Sequence, residues 1–184
     1  GVPNSDQAKG IIAAADWTVV HEPFDDLPRK KVSYWRQGVP RARFPTLSKV
    51  WSTPRPVVGT VGFPFPWKNY DLLCRASALA NWATLIFAPG ATAEQIAGWS
   101  AVQPHLHVIN TFTSRQQVVS LLGGCDATAF LYSCANTGTS GAIRQGIAAR
   151  KPVVALRACR QFRDLIEESA IRWLDDGSVV GVAK

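Results

Sequence analysis

The sequence predicts an α/β fold, a parallel sheet with helices on both faces, and three observations carry that prediction. From Pro56 onward, short β-branched runs alternate with longer segments of helical period, the pattern of repeated βαβ units. The strand candidates are continuous apolar runs, as expected where helices cover both faces of a sheet. The 184 residues, 47% hydrophobic and only 18% charged, suffice for one core and are too poor in charge to stay unfolded.

The elements follow in order. PVVGTVGF (Pro56 to Phe63) reads as a strand, and Lys68 to Trp82 as a helix with Leu72, Leu73, Ala76 and Leu79 on one side. Ala83 to Gly90 is the next strand, about Thr92 to Ala101 a helix, and HLHVIN (His105 to Asn110) a third strand. Thr113 or Ser114 caps a helix that carries Val118, Val119, Leu121 and Leu122 and stops at Gly123-Gly124. ATAFLYS (Ala127 to Ser133) is a strand. The turn NTGTSG (Asn136 to Gly141) opens a helix ending near Arg150, and PVVAL (Pro152 to Leu156) is a further buried strand. A last helix, about Arg160 to Ser169, precedes a tail containing SVVGVA (Ser178 to Ala183). Five βα steps in this order describe a Rossmann-like domain over residues 56–184.

Residues 1–55 differ in texture. Ala14 to Glu22 offers one strand; five prolines (Pro23, Pro28, Pro40, Pro45, Pro54) then interrupt a basic cluster from Arg29 to Arg55. This region reads as an N-terminal extension or inter-domain linker. The sequence has no Met, even at position 1, so a processed chain or a piece of a longer polypeptide is expected, with part of an active site on sequence outside it. No apolar run is long enough to cross a bilayer. The net charge of +7 (20 Lys and Arg against 13 Asp and Glu) allows for nucleic acid, but the basic cluster is broken by prolines and matches no nucleic-acid motif, so none is expected as a partner. Cys74, Cys125, Cys134 and Cys159 stand far apart, without metal-ligand spacing. No zinc site is expected, and thiols in apolar segments, as all but Cys159 are, point to a reducing compartment.

In an open parallel sheet, ligands bind beyond the C-terminal ends of the strands. In GFPFPWK, Gly62 and Phe63 end the first strand, where a glycine lets a ligand come close to backbone. Lys68 is read as opening the following helix, where the dipole disfavours a cation unless an anion is present; the alternative is a solvated Lys after a Pro-rich turn. The turn Thr137, Gly138, Thr139, Ser140, Gly141 presents small residues and N–H groups at a helix N-terminus, suited to phosphate or diphosphate; the alternative is an ordinary cap by Thr139 or Ser140. It is neither a P-loop, since no GK[ST] follows, nor a GxGxxG fingerprint, so P-loop NTPases and ordinary NAD-dependent dehydrogenases lose ground. Phe112, between Thr111 and Thr113, could stack on a base, or belong to the core. His21 could act as acid or base; His105 and His107 lie toward a strand start, the wrong edge.

VGTVGFPFPWKNYDLL, IAARKPVVA and ADWTVVHEPF…YWRQGVP together resemble the C-terminal, donor-binding half of GT-B glycosyltransferases, above all the family-4-like or group 1 enzymes. In that family a strand-end Gly and a Lys several residues on meet the donor phosphates, which Gly62 and Lys68 match. IAARKPVVA matches the segment A-x-G-x-P-V-V, with Arg150 in place of Gly, and the third stretch resembles the family's linker. The resemblance spans about Ala15 to Leu165. It departs at two glutamates eight positions apart, where Thr137 and Gln145 stand here; Gln145 can hydrogen-bond a ribose hydroxyl but supplies no carboxylate.

The resemblance implies one half of a GT-B fold that moves a sugar from a nucleotide-diphosphate sugar to an unknown sugar or lipid-linked acceptor. Lys68 and Gln145 would be its catalytic residues, with Gly62, Phe63, Phe112, Thr113 and Thr137 to Gly141 holding the donor. No cofactor or metal is required, the donor being the substrate, and the partner domain would be a missing N-terminal GT-B domain. A catalytically inactive nucleotide-sugar-binding module or a GT-B-like epimerase would tolerate the absent glutamates. The implied location is the cytoplasm, with association at a membrane surface as an extension.

Overall fold

The computed structural model describes residues 18–20 and 32–34 as backbone, and residues 56–133, 139–167 and 169–183. The chain divides into two compact units, Gly1–Gly38 and Val39–Lys184. In the first, β1 (Thr18–Val20) pairs in parallel with β2 (Val32–Tyr34). The first of these falls inside the strand expected over Ala14 to Glu22; the second was not legible among the charged residues around it.

The second unit holds a six-stranded, wholly parallel sheet. Its elements are β3 (Val57–Val61), α1 (Tyr70–Leu79), β4 (Ala83–Phe87), α2 (Ala93–Val102), β5 (Leu106–Ile109), α3 (Arg115–Leu122), β6 (Ala127–Phe130), α4 (Gly141–Ala148), β7 (Val153–Leu156), β8 (Ile171–Leu174) and α5 (Val179–Ala183). The strand order is β5-β4-β3-β6-β7-β8. It reverses direction between β3 and β6, where Val58 stands beside Ala127 and Gly59 beside Thr128. At such a switch point the connections leave to opposite sides and open a crevice beyond the strand ends.

Both faces are covered, which is why the strands read as unbroken apolar runs. Ala83, Leu85 and Phe87 of β4 point into one core with Val118, Val119, Leu122, Phe130 and Ile143. Ile86, between them, joins Tyr70, Cys74 and Trp99 on the other side, and Val58, Leu73, Ala129 and Leu156 form a third cluster. Burying one such side chain contributes about 1.5–3 kcal/mol. Among the described cysteines, Cys74, Cys125 and Cys159 are all buried free thiols; Cys159, expected outside the apolar segments, is buried too, directly after the turn that follows β7.

Two expectations are corrected, and two elements were not foreseen. The helix expected from Lys68 starts at Tyr70, because Asn69 takes a left-handed φ of 53°; Pro66–Lys68 form a separate 3-10 turn. The last long helix is a 3-10 segment, Arg160–Leu165, that turns Phe162 and Leu165 into the core together, as a three-residue repeat allows. Beyond it lies an unforeseen edge strand, β8, whose IRWL is too short and mixed to announce itself. The tail is a short helix, α5, begun by Ser178, whose Oγ accepts from the Gly181 N–H at 3.0 Å.

Candidate functional site

The loop after β3 is fixed before any ligand arrives. Gly62 has φ of 148°, a conformation open to glycine, and a Cβ there would stand 3.2 Å from both the Lys68 Nζ and the Tyr70 Oη. Its N–H donates to the Phe87 carbonyl at 2.9 Å, and its carbonyl accepts from the Tyr70 hydroxyl at 2.8 Å. Burial pushes the Tyr70 phenol well above its ordinary range, so it remains a donor. The loop is also tied to the one after β6, across the switch point: the Ser133 N–H donates to the Trp67 carbonyl at 2.9 Å, and Asn69 Nδ2 to the Leu131 carbonyl at 2.7 Å.

Lys68 is therefore not in the first turn of a helix, as expected, but ends the 3-10 turn ahead of it. It is 7% exposed. Its Nζ lies 3.5 Å from the ring centroid of Tyr132 and 4.5 Å from that of Trp67. Two aromatic faces stabilise an ammonium whose hydration is largely lost and hold it in one place beside Gly62. The solvated-lysine alternative is set aside by this burial.

The second feature singled out by the sequence is the start of α4. Thr92 and Ser114 close capping boxes on α2 and α3, whereas Ser140, the N-cap of α4, makes no side-chain cap hydrogen bond. The ordinary-cap alternative does not hold for Ser140. Thr137 and Gly138 lie outside the described residues.

One cavity of about 450 Å³ gathers these parts. It is lined by Gly62, Phe63, Lys68, Phe112, Thr113, Thr139, Ser140, Gly141 and Gln145, all singled out by the sequence. Phe65, Trp67, Thr111, Arg115 and Gln161, which the sequence did not mark as a set, also line it. The charge balance decides its chemistry: Lys68 and Arg115 are its cations, and no carboxylate stands among the described lining residues. Phe63 contacts both Phe65 and Phe112 at 6.1 Å between centroids, and Phe112 is 82% exposed, so Phe112 belongs to the rim and not to the core. The site can grip a multiply charged anion at its base and offer flat apolar surface at its mouth.

Arg115 was within reach of sequence reasoning: as the first residue of α3, it is a cation where the dipole disfavours one. Gln161 had no signal, since only the packing of the Arg160–Leu165 turn brings it to the cavity. His105 precedes β5 and His107 lies near its start, far from the strand ends that form the cavity; His21 is outside the described residues. A second cavity, also about 450 Å³, reaches the strand starts at Trp82, Asp126 and Pro152 and is walled by Leu73, Val154, Leu174 and Val182. Its apolar wall does not suit a diphosphate. Among the described residues, no three His, Cys, Asp or Glu side chains converge on a point.

Solved structures share this architecture. TarM superposes with a TM-score of 0.70 at 15% identity over 97% of this chain. The fold is that of the GT-B glycosyltransferases. The Anabaena protein HepE, solved in complex with UDP and glucose, matches the same GT-B arrangement with a TM-score of 0.69 at 14% identity over 96% of this chain. WaaG, a glycosyltransferase involved in lipopolysaccharide biosynthesis, matches at 0.54, with 13% identity over 70% of this chain. The chain spans 38% of TarM, 54% of HepE and 36% of WaaG. The sequence matches no family model and no curated protein. Among the described residues, no helix is long and apolar enough to cross a membrane.

Proposed function

We propose that residues 56–184 form the donor-binding half of a glycosyltransferase and hold a nucleotide-diphosphate sugar in the cavity at the switch point. One observation carries the reading: the Lys68 ammonium and the start of α4 line the same cavity, which contains no described carboxylate. The diphosphate lies between Lys68 and the amides of Ser140 and Gly141, a pairing of point charge and helix terminus suited to phosphate. Lys68 then offsets the charge that develops on the departing nucleoside diphosphate, with Arg115 as a second cation. Gly62 and Phe63 admit the ligand close to backbone, Phe112 and Thr113 meet the base, and Gln145 hydrogen-bonds a ribose hydroxyl. Backbone and cationic partners meet the phosphate charge, so the reading calls for no metal. The acceptor, a sugar or a lipid-linked sugar, would be supplied from across the cleft by a second GT-B domain, with residues 1–55 as the connection to it.

Calorimetry of the full chain with UDP, GDP and their glucose conjugates tests this. Lys68→Ala should weaken nucleotide binding by about 10- to 100-fold, the loss of one charge-assisted contact of roughly 1.5–3 kcal/mol. Absence of binding by every nucleotide, with Lys68→Ala indistinguishable from wild type, would reject the donor site. A second reading, binding without turnover, is favoured by Gln145 standing where the resembled family has a glutamate. Release of UDP from a bound UDP-sugar in the presence of candidate acceptors separates the two.

A further inference from the structure

Beside the cavity, one charged pair has no part in the chemistry above. Arg144 lies on α4, and its side chain is 1% exposed; its partner, Asp164, on the Arg160–Leu165 turn, is 6% exposed. Arg144 Nη2 donates to Asp164 Oδ2, and Nη1 reaches back along its own helix to the Ser140 carbonyl at 2.8 Å. Ser140, 5% exposed, is the N-cap of α4 and lines the cavity. Gln161, three residues before Asp164, lines it as well. One guanidinium thus joins the residue that begins the anion-gripping turn to the neighbouring wall of the same cavity.

Stability is a poor explanation for such a pair. Removing two charges from water costs nearly as much as their attraction returns, and apolar replacements of similar volume are often neutral or stabilising. Geometry explains it better. The planar, multidentate guanidinium holds two acceptors at fixed angles, and a helix start whose N-cap side chain makes no cap hydrogen bond depends more on other contacts for its shape.

We propose that Arg144 and Asp164 are positioning residues: their pair holds the Ser140 carbonyl, and with it the first turn of α4, in the shape that receives a diphosphate, and keeps the Gln161 wall in register with it. The inference rests on the donor-site reading. It assigns neither residue a contact with ligand.

The test exchanges both charges together, Arg144→Met with Asp164→Leu, in the full chain, with UDP as the probe. The double variant should keep its thermal midpoint within a few degrees, as an apolar replacement of a buried pair does. It should lose UDP affinity by about 10-fold or more, the scale on which small misplacements act. Amide hydrogen exchange at Gly141 to Ile143 should quicken without ligand, while the first turn of α3 stays unchanged. Arg144→Lys, which keeps the charge without the fork, should recover only part of the affinity. A double variant that binds UDP as wild type does overturns the proposal and leaves the donor site standing. Wild type that binds no UDP overturns both, and the failure then appears before any substitution is made. Should the double variant not fold, Asp164→Asn carries the same measurement: wild-type affinity there also overturns the positioning role, as would loss of folding in every variant.

Discussion

Arg150 shows how a single position records both a fold's requirement and a departure from it. The residue follows the last turn of α4 and takes a left-handed φ of 56°, its N–H returning to the Ile147 carbonyl at 3.0 Å. A helix stop of this kind favours glycine, and the resembled segment carries Gly there. The left-handed state costs an L-residue about 1–2 kcal/mol, and the exposed Arg150 has no described packing to offset it. Arg150→Gly should therefore raise stability by about 1 kcal/mol, less than the full strain because glycine also loosens the unfolded chain; urea denaturation measures it, and a loss of stability would mean that the Arg side chain contributes more than its backbone costs. Gly62 obeys the same rule in the other direction. Its place at a strand end was legible, but that a Cβ would press on Lys68 and Tyr70 could be known only once those side chains were placed.

At the scale of elements, the packing of α4 on β6 sets where the start of α4 stands at the cavity. Gly146 faces the sheet, and a Cβ there would lie 2.5 Å from Phe130 Cε2 and 3.0 Å from Thr128 Oγ1. Alanine would gain up to about 1 kcal/mol of helix propensity, yet overpacking a close contact costs about 1–3 kcal/mol, and the second effect wins. Gly146→Ala should be less stable than wild type and should bind UDP more weakly, because α4 can relieve the clash only by moving its first turn with it. Equal stability and equal affinity would show that Phe130 yields instead. The strands were legible because burial on both faces leaves an unbroken apolar signature. The helix starts were less so: Asn69, not Lys68, decides where α1 begins, and the three-residue repeat of Phe162 and Leu165 fits either kind of turn.

For the whole molecule, the buried thiols give a test of the core that needs no ligand. Burial raises Cys74 from 9.0 to about 12, with Asp71 adding to it. Cys125 is raised from 9.0 to about 12 by burial and then by Asp126, with Lys151 opposing. A thiol whose folded pKa lies above its unfolded one favours the native state fully below pH 9 and loses that contribution as pH climbs toward 12. Under reducing conditions, these thiols should leave the urea midpoint flat below about pH 8.5 and lower it between pH 9 and 12, less steeply in Cys125→Ala; both cysteines should also resist thiol reagents at pH 8. Rapid labelling of native protein would contradict the packing described here. By itself the sequence determined the alternation of strand and helix, the parallel sheet, and the residue types able to hold an anion, because each is written in local period or in a short turn. The tertiary structure decided the rest. Strand order, the switch point between β3 and β6, the aromatic seat of Lys68, the arrival of Arg115 and Gln161 at one cavity, and the Arg144–Asp164 pair beside it all join residues distant in the chain, and no local period encodes such a meeting.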